Sequence, residues 1–439
     1  MSDTVIRLGG SHIGNALSIH NLEEYLGRKN GRKFVVVSAI PELSKLIHKS
    51  ISSVFQYDLN ESELRNEITS FFTGSTKIKV TNEFAELVEQ LISLLKGIGL
   101  IGDYSRALKD QVLCFSEKLS VEILKAQWPL GTLLQVQDIE LAVSSDFGTA
   151  TFLSVNLDKL QTLPDGVYFI PGSFGVTENG KLARTGKTSA DYTAAFLTKE
   201  LGAGKLELWD LDRDFQRADP AIIGNLQKIK RLTYSEASEL AYFEHYSFHP
   251  RTVEPLEHEH IPIEVISSDS ADGVVDTIIN TETFIEDQIV KSVACTDDIS
   301  LLKLDGPGVG LKPGILAKVT TALNDSGINI KSVITSQTSI NFILSEENGI
   351  KALSLIKKLG FSSVTEISLV DDISLIGVVG HGMQHAFGVS AKIFTAVANN
   401  NINVVLSGSG ASDLVSYLVV LKSDKEKSVR EIYKAFFNK

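Results

Sequence analysis

The sequence predicts an α/β protein: a mostly parallel sheet sandwiched by helices, followed by two ferredoxin-like modules. Two observations carry that expectation. Over the first 270 residues, short apolar runs ending in Gly, Ser or Asp alternate with helical patterns. Farther on, one succession of strand and helix signals returns 74 residues later without a gap.

The apolar runs come in order. Val5-Ile6-Arg7-Leu8 enters Gly9-Gly10-Ser11, and Phe34-Val35-Val36-Val37 enters Ser38-Ala39. Val167-Tyr168-Phe169-Ile170 enters Pro171-Gly172, and Leu206-Glu207-Leu208-Trp209 enters an Asp-rich loop. Ile261-Pro262-Ile263-Glu264-Val265-Ile266 is a fifth run. Continuous apolar strands belong in a sheet covered on both faces, whereas half-exposed strands alternate. Such sheets bind ligands beyond the carboxyl ends of their strands, so the chemistry is expected in those loops. Between Asp58 and Lys125 the pattern is helical. Phe84, Leu87, Val88, Leu91, Leu94 and Leu95 form a stripe at i, i+3, i+4 spacing, with Asn82 as the candidate cap.

In the repeat, Asp297-Asp298-Ile299-Ser300-Leu301 returns as Asp371-Asp372-Ile373-Ser374-Leu375. Gly314, Ala317-Lys318 and Ala322 return as Gly388, Ala391-Lys392 and Ala396, and Ile328-Asn329-Ile330 returns as Ile402-Asn403-Val404. Ile315, Val319 and Leu323 share helix offsets with Val389, Ile393 and Val397. Agreement in both spacing and residue type marks a duplication, each copy reading βαββαβ. The expected boundaries are a first domain at 1–270, a polar Asp/Thr-rich connection at 271–296, and modules at 297–370 and 371–439.

Bulk properties exclude several classes. A net charge of −12 over 439 residues disfavours nucleic acid or an anionic membrane as partner. Cys114 and Cys295 stand far apart in no metal-like spacing, which points to a reducing compartment. Met1-Ser2-Asp3-Thr4-Val5 lacks the basic and apolar regions of a secretion signal, and no run reaches the roughly 20 apolar residues of a membrane span. A cytoplasmic location is expected. Gly186-Lys187-Thr188 ends like a P-loop, but Lys181 stands where that motif requires glycine. His258-Glu259-His260, near His245 and His249, lacks a third ligand at diagnostic spacing and reads as a surface run, so no metal ligand is assigned.

Several short motifs, each weak alone, occur in a telling order. They are Arg7-Leu8-Gly9-Gly10-Ser11; Val36-Val37-Ser38-Ala39 with Ser44; Ser116-Glu117; Gly186-Lys187-Thr188-Ser189-Ala190-Asp191-Tyr192-Thr193-Ala194; Asp219-Pro220; and His249-Pro250. Together with the repeat, this series resembles the aspartokinase family over essentially the whole chain. The resemblance implies an amino-acid-kinase sheet followed by two ACT domains. It implies transfer of the γ-phosphate of Mg-ATP to L-aspartate, giving 4-phospho-L-aspartate for synthesis of lysine, threonine and methionine. It also implies a homodimer joined through the ACT domains.

By that resemblance Lys187 matches an arginine that pairs with the substrate's α-carboxylate. Glu117 and Asp191 match acidic residues that hold the amino group and organise the reacting end, and Arg7 takes the place of a lysine beside the transferring phosphoryl group. A zwitterion needs both signs within one small pocket. Ser38 and Ser44 are candidate donors to carboxylate or phosphate. Gly9, Gly10, Ser11 and Gly172 would give backbone access to phosphate, with Asp210, Asp212 and Asp219 completing the nucleotide side. Other readings stand beside these: Gly-Gly is also a tight turn, Asp191 a helix cap, Ser38 a strand end.

The chain departs from the family in the nucleotide half. Gln216, Ala221 and Tyr246 replace an expected Tyr, Arg and Lys, and Asp210, Asp212 and Asp214 form either a Mg²⁺-recruiting or a solvated acidic loop. The alternatives to an aspartate kinase are therefore an amino-acid-sensing regulatory protein without catalysis, or a kinase for another acidic amino acid. In the first ACT copy, Gly310, Ile315, Asn329, Lys331 and Gln337 are the effector candidates. A cation at Lys331 disfavours lysine by like-charge repulsion, which leaves threonine or no ligand.

Overall fold

The computed structural model describes residues 3–55, 59–187, 189–210, 215–243, 248–267, 271–284, 289–310, 312–409 and 412–438. It divides into two compact units: 1–215 with 228–242 and 246–284, and 216–227 with 243–245 and 285–439.

In the first unit the strands are β1 (Thr4–Leu8), β2 (Arg32–Val37), β3 (Thr132–Leu133), β4 (Ala142–Val143), β5 (Phe152–Ser154), β6 (Gly166–Pro171), β7 (Phe174–Val176), β8 (Leu182–Arg184), β9 (Leu206–Asp210), β10 (Arg231–Thr233), β11 (Ile263–Ser267) and β12 (Val275–Asn280). Eight of them form one sheet in the order β10-β12-β11-β9-β1-β2-β6-β3, and β5-β4-β7-β8 form a smaller one. In the large sheet every pairing is parallel except β11 with β12. The apolar runs occupy its middle, where Val5, Ile6, Phe34, Val35, Val36 and Phe169 are fully buried, as two-sided coverage requires. Glu207, buried in β9, is balanced by Lys29 at 2.6 Å and Lys205 at 3.1 Å, and it accepts the Tyr25 hydroxyl.

The helical stripe is the helix Asn82–Ile101, burying Phe84, Val88, Leu91 and Leu95. Its cap is Thr81 rather than Asn82: the Thr81 hydroxyl accepts the Phe84 amide, and Gly102 closes the helix at φ 73°.

The second unit contains β13 (Val290–Thr296), β14 (Ser300–Asp305), β15 (Ser332–Thr335), β16 (Ser339–Leu344), β17 (Glu366–Val370), β18 (Ile373–Gly380), β19 (Leu406–Ser409) and β20 (Val415–Leu421). They form two antiparallel sheets, β15-β16-β14-β17 and β13-β18-β20-β19, each with its own buried cluster. Three sequence expectations change here. The stretch 271–296 holds two strands, β12 in the large sheet and β13 in the second unit. Among the described residues the last element is the helix Lys425–Phe437, and β13, which precedes the first copy, takes the place beside β18 that a final strand of the second copy was expected to fill. The 74-residue offset holds from the helices Ile315–Asp325 and Val389–Ala398 to β15 and β19; two extra residues then enter copy two before the short turns Glu346–Asn348 and Lys422–Asp424.

The repeated Asp-Asp-Ile-Ser segment has a structural reason. Asp297 accepts the Ser374 hydroxyl at 2.6 Å, and its counterpart Asp371 accepts that of Ser300 at 2.7 Å. Each copy's aspartate holds the other copy's serine.

Candidate active site

Strand register brings the predicted loops to one edge. The ladder continues past the strands as Ser38 N–H donating to Leu8 O (3.0 Å), Gly9 N–H to Trp209 O (2.9 Å) and Gly172 N–H to Val37 O (3.0 Å). The loops after β1, β2 and β6 therefore start side by side. Gly9 and Gly172 spend their own amides on the sheet. The three-residue turn Gly10–His12 follows, with His12 N–H on Gly9 O. The first amides of such a turn have no acceptor within it, so Gly10 and Ser11 are the donors this loop can offer a ligand. Gly10 is also the contact point between loops, since a Cβ there would fall 1.9 Å from Ala39 O.

Arg7 lies in β1 with no exposed surface, its Nε 2.6 Å from Oδ1 of the equally buried Asp191. Asp191 stands in the first turn of the helix Ala190–Glu200, where a carboxylate suits the dipole, and its Oδ2 accepts the His249 amide at 3.3 Å. Residues distant in sequence, buried Arg7 and Asp191 and half-buried His249, thus meet at one spot. Gly172 packs onto the same helix start, for a Cβ at that position would meet Ala190 Cβ at 2.6 Å. Next to it Ser173 is buried at φ 69°, its amide bonded to Thr193 Oγ1 at 2.9 Å. A non-glycine residue there is strained, and the strain is held by contacts on both sides.

Glu117 is buried on the helix Phe115–Gln127 and meets a partner sequence reasoning missed. Arg184, at the end of β8, donates Nη1 to Glu117 Oε2 at 3.0 Å and Nη2 to Oε1 at 3.1 Å. Burial opposes the Arg184 charge, and the surrounding groups, Glu117 foremost, more than restore it. The Arg184 amide donates to Asp110 Oδ2 at 2.8 Å, and burial raises that carboxyl despite the amides of Arg184 and Gly148 pointing at it. The signal for Arg184 was its position: a guanidinium in a buried strand just before the Gly186 motif. Ser120 was missed as well. One turn beyond Ser116-Glu117, its hydroxyl accepts the Ile40 amide at 2.9 Å, tying the β2 loop to the Glu117 helix.

Ser38 and Ser44 are half-buried, at the end of β2 and in the first turns of the helix Pro41–Phe55. Lys187 is exposed in the loop before Asp191. Asp212, Asp214 and Tyr246 lie outside the described residues, as does the side chain of Asp210. Asp219 belongs to the second unit, where Oδ1 accepts the Ala221 amide at 2.9 Å and Oδ2 stands 4.0 Å from Cys295 Sγ. Its carboxylate caps its own turn.

In the first ACT-like copy, Gly310 N–H donates to Gln337 O at 3.0 Å, and a Cβ on Gly310 would fall 2.5 Å from Ser336 O, so those two expected neighbours do meet. Asn329 is exposed. Ile315 is 4% exposed within the apolar cluster of this copy. Lys331 donates to Asp298 Oδ2 at 2.8 Å. That neutralisation removes the charge argument against a lysine effector.

Comparison with known proteins agrees with this layout. The model of the amino acid kinase family matches residues 4–267, and ACT domain models match 294–358 and 376–436. The chain is 29% identical to the bifunctional aspartokinase/homoserine dehydrogenase of Haemophilus influenzae, over 85% of this chain and 47% of that protein. It is 24% identical to the chloroplastic aspartokinase 2 of Arabidopsis thaliana, over 99% of this chain and 84% of that one. It spans about half the length of the bifunctional relatives it matches. Among solved structures, E. coli aspartokinase III in complex with aspartate and ADP superposes with a TM-score of 0.82 at 21% identity, covering 99% of this chain and 100% of that one.

Proposed function

The chain belongs to the amino acid kinase family, and from that premise we propose that it transfers the γ-phosphoryl group of ATP to the side-chain carboxylate of L-aspartate. The product is 4-phospho-L-aspartate. The observation that carries this reading is the shared sheet edge: turn amides at Gly10 and Ser11, the buried Arg7–Asp191 pair, and the Glu117–Arg184 pair on adjoining elements. The aspartokinase names of its relatives, and the aspartate and ADP of the E. coli structure, support it.

Phosphoryl transfer asks for positioning and charge more than covalent help. An aspartate carboxylate oxygen attacks the γ-phosphorus, and the bridging oxygen leaves with ADP. Amides at Gly10 and Ser11 would hold phosphate oxygens, and Mg²⁺ arriving with the nucleotide supplies further neutralisation. Arg7 keeps a fixed cation below the phosphate loop, with Asp191 locking its direction. Glu117 would receive the substrate ammonium. Lys187, exposed at the rim, would draw anions by long-range attraction.

We further place a free amino acid, threonine or lysine, at the Gly310–Gln337 contact of the first ACT copy as effector, with homodimers formed through the ACT copies and a cytoplasmic location. The enzyme would supply the shared precursor of lysine, threonine and methionine.

Hydroxylamine trapping tests the central reading. Purified protein with ATP, Mg²⁺ and L-aspartate should yield aspartyl hydroxamate, with glutamate and other acidic amino acids as controls. Hydroxamate from another acid alone would move the assignment to that substrate. None from any acid, with no thermal shift on adding ATP, would leave a ligand-sensing protein without catalysis.

A further inference from the structure

We propose that Arg184 is the carboxylate receptor of the acceptor site, recognising the α-carboxylate of an acidic amino acid in place of Lys187. The proposal rests on the reading above only in taking the Glu117 neighbourhood as the place where that amino acid sits.

The argument is a count of donors. A guanidinium carries five N–H groups in a rigid plane. In Arg184 one end faces Glu117 squarely, Nη1 to Oε2 and Nη2 to Oε1, and Nη1 also donates to Leu113 O at 3.0 Å. Those bonds use three donors. The remaining two, Nε–H and the second Nη2–H, lie parallel along the other edge, and neither has an acceptor among the described residues. Two parallel donors on one edge match a carboxylate bidentately, the geometry that makes Arg and Lys poor substitutes for each other.

The receptor is also held still. Its backbone amide is fixed on Asp110, Leu113 ends the helix Arg106–Leu113, and Glu117 is 3% exposed while the Arg184 side chain keeps 10%. Carboxylate oxygens accept more than one hydrogen bond, so Glu117 can take an ammonium while still holding Arg184. The pair then presents a positive edge beside a negative one. An α-amino acid carries the same two charges in the opposite sense on neighbouring atoms. Lys187 offers an exposed point charge with no fork, two residues past Thr185 on the same loop.

The test is calorimetric titration of the full-length protein, without nucleotide, with L-aspartate and with its α-amide, L-isoasparagine. Wild type should prefer L-aspartate by about tenfold or more, the size of a charge-assisted fork. Arg184→Lys keeps a cation opposite Glu117 but loses the fork, and should bring the preference close to unity. Lys187→Met removes only a distant attraction for the anion and should keep most of the preference for L-aspartate. Should Arg184→Lys not fold, as its melting curve would show, the double variant Arg184→Gln/Glu117→Gln removes both charges together and should abolish the preference. Three results overturn the proposal: a preference that survives Arg184→Lys, one that vanishes in Lys187→Met, or wild type that binds neither ligand or both alike. Selective binding that depends on Arg184 without any hydroxamate would refute the kinase reading while upholding this one.

Discussion

A methyl group on residue 10 would lie 1.9 Å from a backbone oxygen that cannot swing away, because Ser38 and Ile40 on either side of Ala39 are pinned by Leu8 and Ser120. Gly10→Ala should therefore force the two loops apart, costing about 1–3 kcal/mol of stability, as overpacking does. Hydroxamate yield should fall much further than the melting temperature; a fully active Gly10→Ala protein would contradict the loop contact. A second residue, Asp297, carries a pH signature. Burial alone would raise its carboxyl, but hydrogen bonds from Lys425 and Ser374 outweigh that and hold it below the usual carboxylate range. A depressed folded value means that its stabilisation is complete above the unfolded value, about pH 4, and is lost as pH falls through the folded one. The gap in melting temperature between wild type and Asp297→Asn should thus be widest near neutrality and close below about pH 4. A gap that widens on acidification would reverse the assignment. Sequence singled out Arg7, Asp191 and Glu117, which the fold buries in ion pairs. The position of Arg184 before the Gly186 motif was readable, but its partner Glu117, 67 positions away, was not. The same limit hid which glycine amides the sheet consumes.

At the level of elements, periodicity was informative and partnership was not. The five apolar runs became β1, β2, β6, β9 and β11, since a two-sided buried strand writes its environment into every residue. The polar look of 271–296 concealed β12 and β13, because Asp276, Thr277 and Asn280 break up the apolar residues of Val275–Asn280, and β13 is paired with a strand far along the chain. This non-local partnership makes a specific expectation. Val293 of β13 is fully buried among Ile376, Val378 and Leu418 of the second copy. Val293→Asp should place an unpaired charge in that cluster, at a cost of several kcal/mol. Hydrogen exchange should then accelerate in β18 and β20, while β14 and β16 stay protected. Equal acceleration in both copies, or in the first alone, would contradict the strand assignment.

For the molecule as a whole, amino acid kinase and ACT units were readable in outline because duplication and apolar runs survive where individual site residues drift. Nesting was not readable, since a repeat announces how many copies exist and says nothing of which strand closes which sheet. One consequence of that nesting reaches past stability. The first copy begins and ends on neighbouring strands, with Leu301 opposite Val370. Its two chain ends therefore emerge together, inside a module whose own opening strand has already been threaded. Such an insert is a cassette: Thr296 could be spliced to Asp371 and the host sheet would still own all four of its strands. On the ribosome, conversely, the host must wait with its first strand unpaired until the guest has been made, so the guest sets the order in which the ACT half matures.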